Sequence, residues 1–304
     1  MTRDSVSSAL PARVGAAPAG MARSRPPRAG LPWLAGFTVM VCVFLVTPIA
    51  VVLLSSLTAA EYVTFPPQGL SLRWYVAVLQ NEEFLGSLMV SLRVAAISSL
   101  IACVVGVSAA IGLVRLRFPG RGLVEGLFLS PLMIPGIVLG VAILQFYARS
   151  GLISSTASLI AGHLAITIPY VTRLAIGSLV GFDERLELAA QNLGASPLQA
   201  FRRITLPILF PAIAGAFAFA FIVSFEDVNL SLFLSSPQAT TFPVRIYTYM
   251  SQESSPIISA ASSLLVLIVL VVAIVIDRLV GLASHGQKPP RLPADAAAPG
   301  GGKP

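Results

Sequence analysis

The chain has 304 residues, of which 56% are hydrophobic and only 11% are charged, and it carries a formal net charge of +7. Soluble globular proteins carry about 25% charged residues, so this composition excludes a soluble domain and predicts an integral membrane protein. The two cysteines lie in apolar segments without a pair of histidines nearby, so neither a disulfide framework nor a metal site is predicted.

The N-terminal 30 residues are rich in Pro, Ala, Gly and Arg and cannot bury a core, which predicts a disordered cytoplasmic tail over residues 1–30. From 31 to 283 the chain offers six apolar stretches, each near the length of about 20 residues that a helix needs to cross a membrane. They lie at 32–57, 86–114, 122–147, 152–180, 207–234 and 257–281. The third and fourth contain Pro, Gly or polar residues, which membrane helices tolerate where neighbours satisfy the backbone. We therefore predict an all-α domain with six transmembrane helices, followed by a second disordered cytoplasmic tail at 284–304.

The positive charges predict the orientation, because short basic loops stay in the cytoplasm. If both termini are cytoplasmic, sixteen of the 20 Lys and Arg residues lie on that side, and Arg73, Arg149 and Arg245 lie outside. This bias predicts an even number of crossings. It also explains the net charge by topology, so no nucleic-acid partner is predicted.

Residues 183–206, called the docking loop below, are polar and basic although they lie between two apolar stretches. Leu186, Leu193 and the two alanines between them share one face of a short helix, which Gly194 is expected to end in the left-handed conformation. Ser196 then supplies the N-cap of another helix, whose first residue is a proline. The pattern predicts a tight corner suited to a groove in a cytoplasmic partner; the alternative is a simple interfacial helix.

The docking loop resembles the EAA loop of permease subunits of binding-protein-dependent ABC importers, whose pattern is E-A-A, three residues, Gly, and later Leu-Pro. Leu188 occupies the first position of that pattern, and the acid stands one residue earlier. The resemblance implies docking to an ATP-binding subunit. The predicted docking residues are Glu187, Ala189, Ala190, Gly194, Ala195, Phe201, Arg202, Arg203 and Pro207.

The sequence SFEDVNLS places Glu226 and Asp227 well inside the fifth apolar stretch. A charge near the bilayer centre costs at least about 2.5–3.5 kcal/mol, so such acids normally face protein or a water-filled path. Both are therefore candidates for a translocation path that attracts a cationic solute. The alternative is a buried ion pair or a hydrogen bond to another helix, with Arg93, His163 or Arg173 as the partner.

Two further polar residues lie within predicted transmembrane helices. Arg93 is expected to extend toward the outer surface rather than act as a gate. His163 is expected to pack between helices rather than relay protons, because no second titratable group lies one turn away. On the second helix, Ser98, Ala102 and Gly106 belong to a stripe of small residues that predicts close helix packing.

The run S-F-E-D, followed by S-L-F-L-S-S-P and T-T-F-P-V-R-I, is similar to the second permease subunit of spermidine/putrescine importers, and the overall similarity covers about residues 32–282. This similarity implies a type I ABC importer permease that carries a polyamine. It also implies that the protein lies in the bacterial inner membrane, in contact with membrane lipid. It also implies a second, paralogous permease subunit, two ATP-binding subunits and a periplasmic solute-binding protein. Ferric iron, thiamine and phosphonate stay open as alternative cargo.

The sequence contains no G-x-x-x-x-G-K-[S/T] phosphate loop, and its only lysines lie near the C-terminus. We therefore expect no enzyme activity and no cofactor in this subunit, with ATP and Mg bound by the partner ATPase. A rival of another class is a secondary transporter or channel driven by an ion gradient. Such transporters often contain inverted repeats, and no convincing repeat is present here.

Overall fold

The structure, a computed structural model, describes residues 32–151, 155–253 and 255–285. The predicted N-terminal tail lies outside the described residues, as does the predicted C-terminal tail except for its first two residues. The described chain is helical, as the all-α prediction requires. Its β-structure is limited to two isolated bridges. The α-helices are α1 (Pro32–Ser55), α2 (Arg73–Gln80), α3 (Glu82–Arg115), α4 (Arg121–Leu129), α5 (Gly136–Ser150), α6 (Thr156–Val180), α7 (Arg185–Asn192), α8 (Pro197–Ala200), α9 (Leu206–Glu226), α10 (Ser231–Leu234), α11 (Phe242–Gln252) and α12 (Pro256–His285). A 3₁₀ helix spans Ser130–Met133, and a π-helical turn spans Phe201–Thr205.

The chain divides into two units between Thr47 and Pro48, within α1. In the described part of the first unit, the large apolar side chains of Trp33, Phe37 and Phe44 are all more than half exposed. A helix that exposes large apolar side chains is suited to contact with lipid.

The second unit, from Pro48 onward, is centred on α3, α6 and α9. The predicted stripe of small residues lies in this interface, where Ser98, Ala102 and Gly106 are buried. A Cβ atom built at Gly106 would lie 2.9 Å from Cγ1 of Val171, so glycine permits the close approach of α3 to α6. Close packing of this kind holds membrane helices together, since lipid provides no hydrophobic drive between them.

The register of the contacts shows that α3 and α6 run parallel. Val94, in the first half of α3, packs with Leu159 near the start of α6. Ala110, near the end of α3, packs with Ala175 and Leu179 near the end of α6. The chain between these two helices must therefore cross back to the opposite end, and α4 and α5 make that crossing.

The third predicted transmembrane helix, at 122–147, is broken, as its prolines and glycines indicate. The segments Arg121–Met133 and Gly136–Ser150 are bent by 106° at a short break. Pro135 lies in this break, and Pro131 lies just before it in the 3₁₀ helix; proline both lacks an amide donor and disfavours helix in the residue before it. In the described part of the chain, five other helices are long and apolar enough to cross a membrane, so the bent pair completes the six predicted crossings.

The fifth predicted helix, at 207–234, begins earlier and ends earlier than predicted. An apolar helix runs from Pro197 to Glu226 through α8, the π-turn and α9. It ends because Asp227 leaves the helical conformation, with φ −66° and ψ 124°. Glu226 and Asp227 therefore lie at the end of α9 and not well inside a helix, which corrects the sequence prediction.

Candidate functional site

The docking loop folds into the predicted corner. Gly194 has a φ of +90°, and its N–H donates to the carbonyl of Gln191 at 2.9 Å. The N–H of Ala195 donates to the carbonyl of Ala190 at 3.1 Å. These two bonds form a Schellman motif, which satisfies the last carbonyls of α7. The predicted role of glycine at this position is confirmed, because other residues rarely adopt this conformation.

The second helix of the corner begins at the predicted cap. The Ser196 hydroxyl accepts from the N–H of Gln199 at 3.3 Å, and the Gln199 side-chain oxygen accepts from the N–H of Ser196 at 3.0 Å. This reciprocal pair is a capping box, and Pro197 occupies the first helical position. Because α8 continues through the π-turn into α9, the corner is continuous with a helix long and apolar enough to cross a membrane.

The outer surface of the corner combines apolar and basic side chains. Leu188, Leu193 and Leu198 are 57%, 90% and 65% exposed. Arg202 and Arg203 are exposed and line a cavity of about 450 Å³ next to Leu198. Of the other predicted docking residues, Ala189, Gly194 and Pro207 are exposed, and Ala190, Ala195 and Phe201 are half-buried. The corner thus presents a broad surface on which a partner can pack.

Glu187, the acid among the predicted docking residues, is engaged within the chain. Its Oε1 accepts from a guanidinium nitrogen of Arg115 at 2.8 Å and also from the hydroxyl of Thr205. The guanidinium of Arg115 also lies 5.9 Å from the centre of the Phe201 ring. Only 13% of the Glu187 side chain is exposed. These contacts tie α7 to the end of α3 and the start of α9, and sequence reasoning missed both Arg115 and Thr205.

Glu226 and Asp227 lie in residues 224–234, called the acid-bearing turn below. Glu226 is exposed, and Asp227 is half-buried. Oδ2 of Asp227 accepts from the N–H of Leu230 at 3.1 Å and from the N–H and hydroxyl of Ser231 at 2.9 and 3.1 Å. Asp227 thereby caps the start of α10, as short polar side chains commonly do where a chain re-enters a helix.

The ion-pair alternative for the two acids is wrong. Among the described residues, no cationic side chain lies within 4.0 Å of Glu226 or Asp227. Arg93 and Arg173, the two arginines considered as partners, are both exposed on their own helices. Neither acid therefore has an ion-pair partner within the described chain.

The acid-bearing turn packs closely against glycines of α5 and α6. A Cβ atom at Gly136 would lie 3.2 Å from Cβ of Asn229, and one at Gly140 would lie 3.3 Å from Cα of Leu230. At Gly162 of α6, a Cβ atom would collide with the leucine that ends α10. The bend between α4 and α5 therefore has a consequence for the site, because the start of α5 packs directly on the turn.

His163 is fully buried, and both of its ring nitrogens are bonded to serines of the acid-bearing turn. Nδ1 lies 2.7 Å from the hydroxyl of Ser224, and Nε2 lies 3.0 Å from that of Ser231. The Ser224 hydroxyl lies 3.1 Å from that of Ser98 on α3. Since Ser231 also bonds to Asp227, a second titratable group is linked to His163 through one hydroxyl. His163 was among the partners predicted for the two acids, and the structure shows that its link to Asp227 passes through Ser231.

A polar groove lies at the opposite end of α3 from the docking loop, between the start of α3 and α11. A guanidinium nitrogen of Arg245 donates to Glu83 at 2.9 Å across it. The groove has a volume of about 640 Å³, and Ser236 and Tyr249 are among its lining residues. Burial, together with the nearby Glu253 and Glu83, raises the pKa of Tyr249, so its hydroxyl stays protonated at neutral pH.

The chain is similar to known transport proteins. Residues 102–287 match the family described as binding-protein-dependent transport system inner membrane component. The chain is 30% identical over 239 residues to the spermidine/putrescine transport system permease protein PotC of Escherichia coli (strain K12), covering 79% of this chain and 90% of PotC. It is 30% identical over 256 residues to the putrescine transport system permease protein PotI of the same strain, covering 80% of this chain and 89% of PotI.

The fold is also similar to a solved structure. A chain in the crystal structure of a bacterial ABC transporter involved in the import of the acidic polysaccharide alginate superposes with a TM-score of 0.63 and 16% sequence identity. The match covers 84% of this chain and 95% of that chain. At this identity the likeness establishes the fold alone.

Proposed function

Because the chain belongs to the family of inner-membrane components of binding-protein-dependent transport systems, we propose that it forms the translocation path for a small polyamine. It is a permease subunit of an ABC importer. Membership in this family sets aside the alternative of a transporter driven by an ion gradient. We assign ATP hydrolysis, with the bound ATP and Mg, to a separate ATP-binding subunit and no catalytic role to this chain.

The acid-bearing turn carries the proposal for a polyamine. The C-terminal end of a helix bears a partial negative charge equivalent to about half an elementary charge. At the end of α9 this charge lies beside exposed Glu226 and half-buried Asp227, with no cation paired to either in the described chain. Helix ends of this kind bind cations in membrane transporters. Spermidine and putrescine, which appear in the names of PotC and PotI, carry several positive charges at neutral pH.

We assign the docking loop to the ATP-binding subunit. Its exposed leucines and its two exposed arginines, Arg202 and Arg203, suit a groove that is apolar with an acidic rim. The continuous helix from Pro197 to Glu226 would transmit the movement of that subunit from the corner to the acid-bearing turn. A second, paralogous permease subunit completes the path in this proposal, and a periplasmic solute-binding protein delivers the cargo.

The protein belongs to a family of inner-membrane components, and we infer that both of its termini lie in the cytoplasm. The docking loop and Arg115 lie at one end of the helices, and Arg245 lies at the other. The excess of Lys and Arg at the docking end supports a cytoplasmic position for that end. This orientation leaves the polar groove beside Glu83 on the periplasmic side, where solute arrives.

The test is purification of the tagged protein from its native membrane, with mass spectrometry of the associated proteins. ATPase activity is then measured in nanodiscs with the candidate binding protein, with and without spermidine. An associated ATP-binding subunit and spermidine-stimulated hydrolysis are the expected results. An ATP-binding subunit without a spermidine response would overturn the polyamine proposal, and the absence of such a subunit would overturn the assigned assembly.

A further inference from the structure

The acid-bearing turn is connected to the helices around it by a buried chain of polar groups. The chain runs from Ser98 on α3 through Ser224 on α9 to His163 on α6, and then through Ser231 on α10 to Asp227. The first four of these residues are at most 3% exposed. Buried polar groups away from water need partners, so each group in this chain constrains the next.

The direction of the hydrogen bonds follows from the Asp227 end. Oδ2 of Asp227 already accepts from two backbone N–H groups, so it is an acceptor and the Ser231 hydroxyl must donate to it. With its proton committed, Ser231 can only accept from His163, which requires a proton on Nε2. In the neutral ring Nδ1 is then an acceptor, and the hydroxyl of Ser224 donates to it.

Leu159, one turn before His163 on α6, and Leu230, next to Ser231, belong to one buried apolar cluster with Leu234 and Val94. A leucine or phenylalanine in place of His163 would suit such a cluster better if packing were the only requirement. The two serine bonds therefore fix the plane of the imidazole, and the imidazole in turn fixes the hydroxyl that binds Asp227.

We propose that His163 is a positioning residue that holds the acid-bearing turn in the geometry that solute passage requires. It acts through the bond from Nε2 to Ser231, which aims the Ser231 hydroxyl at Asp227. The bond from Nδ1 to Ser224 sets the ring orientation and joins the turn to α3. This inference rests on the proposed role of the acid-bearing turn in the translocation path.

A matched pair of substitutions distinguishes the bond from His163 to Ser231 from the bond from His163 to Ser224. In His163→Gln the side-chain amide reaches the position of Nε2 and can still donate to Ser231. In His163→Asn the shorter side chain reaches only the position of Nδ1, where its oxygen can accept from Ser224 while Ser231 loses its donor. Asparagine also leaves a smaller volume, so His163→Leu, which fills the site without either bond, is the packing control: a role in packing alone predicts that it behaves like His163→Gln.

Uptake is measured in proteoliposomes that contain the assembled transporter and its binding protein. We expect His163→Gln to keep the half-saturating solute concentration within about threefold of the unsubstituted protein, and His163→Asn to raise it about tenfold or more, the difference made by one well-placed hydrogen bond. The amount of ATP-binding subunit that copurifies should be the same for both. Equal uptake by the two variants would overturn the proposal.

A second measurement does not depend on the cargo. The chain contains two histidines, so ¹⁵N-histidine NMR of a His285→Gln protein reports His163 alone. We expect the neutral tautomer with the proton on Nε2, and a shifted Nε2 signal in Ser231→Ala. A proton on Nδ1 instead would overturn the assigned hydrogen-bond directions and with them the proposal. The two proposals can fail separately. If spermidine is not transported, the polyamine proposal fails. The positioning role still stands if the Nε2 tautomer is found and the two His163 variants differ in ATPase activity stimulated by the binding protein.

Discussion

The docking loop and the acid-bearing turn both interrupt the helical path of the chain, but their stabilising partners come from very different distances. In the docking loop, Gly194 and Ser196 make hydrogen bonds that span three residues of sequence. In the acid-bearing turn, Ser224 and Ser231 bond to His163, which lies 61 and 68 residues earlier. One interruption is held mainly by its own sequence, and the other by three further helices.

The difference reflects the surroundings of the two segments. The docking loop is largely exposed, so backbone groups that lack a protein partner can bond to water. The acid-bearing turn lies among membrane-crossing helices, where an unpaired backbone or hydroxyl group has no such alternative. A break in a helix at that depth is stable only if other helices supply the missing partners.

Gly194→Pro should have the largest effect, because it removes the backbone conformation that forms the corner of the docking loop. Proline holds φ near −65°, whereas Gly194 has a φ of +90°. We expect insertion to persist but uptake to fall at least about tenfold, because the corner can no longer couple ATPase and transport. The measurements are uptake and solute-stimulated ATPase activity. Gly194→Asn is the control, since asparagine tolerates the left-handed conformation; transport at the normal rate by the proline variant would contradict the role of the corner.

Substitutions at Asp227 test the distant side. Asp227→Asn keeps an oxygen that can accept from the two backbone N–H groups but removes the charge. Asp227→Ala removes both, and loss of a cap of this type costs about 0.5–2 kcal/mol. We expect the half-saturating concentration of a cationic solute to rise about tenfold in Asp227→Ala and about threefold to fivefold in Asp227→Asn. An asparagine variant with normal affinity would reduce the role of Asp227 to capping.

The docking loop, although held mainly by local bonds, also has one contact that is distant in sequence, the pair of Arg115 and Glu187. The pair is partly buried, so its loss should cost on the order of 1–2 kcal/mol, between the values for exposed and buried pairs. Arg115→Gln, Glu187→Gln and the double variant form a double-mutant cycle. We expect each single variant to lower coupled transport about threefold to fivefold, and the double variant to be no worse than the single ones. Strictly additive losses would mean that the two side chains act independently.

Ser196→Ala should have the smallest effect. The substitution removes the cap of α8 and costs about 1 kcal/mol, but the helix continues into α9 and is held there by packing. We expect uptake to fall less than about threefold, with a measurable drop in thermal stability of the detergent-solubilised protein. Ser196→Asp retains a capping oxygen and should restore the stability. A severe loss of transport in the alanine variant would mean that Ser196 contacts the partner itself.

Much of the fold could be predicted from hydrophobicity alone. The second, fourth and sixth predicted helices, at 86–114, 152–180 and 257–281, match α3, α6 and α12 closely, because long apolar stretches have little alternative to helix in a membrane. The third stretch was harder, since its prolines indicate a break but not the 106° bend. The early end of α9 was missed because the residues after it stay largely apolar, and hydrophobicity does not distinguish one helix from two.

The candidate site shows the same division. Gly194 and Ser196 could be assigned from the sequence, since a glycine after a short helix and a serine before a proline are local signals. Glu187 was placed in the docking loop, but its bond to Arg115 spans 72 residues and no pattern in either segment indicates it. Glu226 and Asp227 were recognised as unusual acids, whereas their position at the end of α9 was not predicted.

Hydrophobicity and local capping signals were enough to predict a membrane protein with six crossings and the position of its docking corner. These properties depend on the hydrophobicity of each stretch and on capping residues within a few positions of the bonds they make. The 106° bend in the third apolar stretch, the end of α9 at Glu226 and the link from His163 to Asp227 through Ser231 became visible only once the helices were packed. Those features depend on which residues meet when α3, α6 and α9 pack, and buried polar groups without water bond to the partner that packing brings to them.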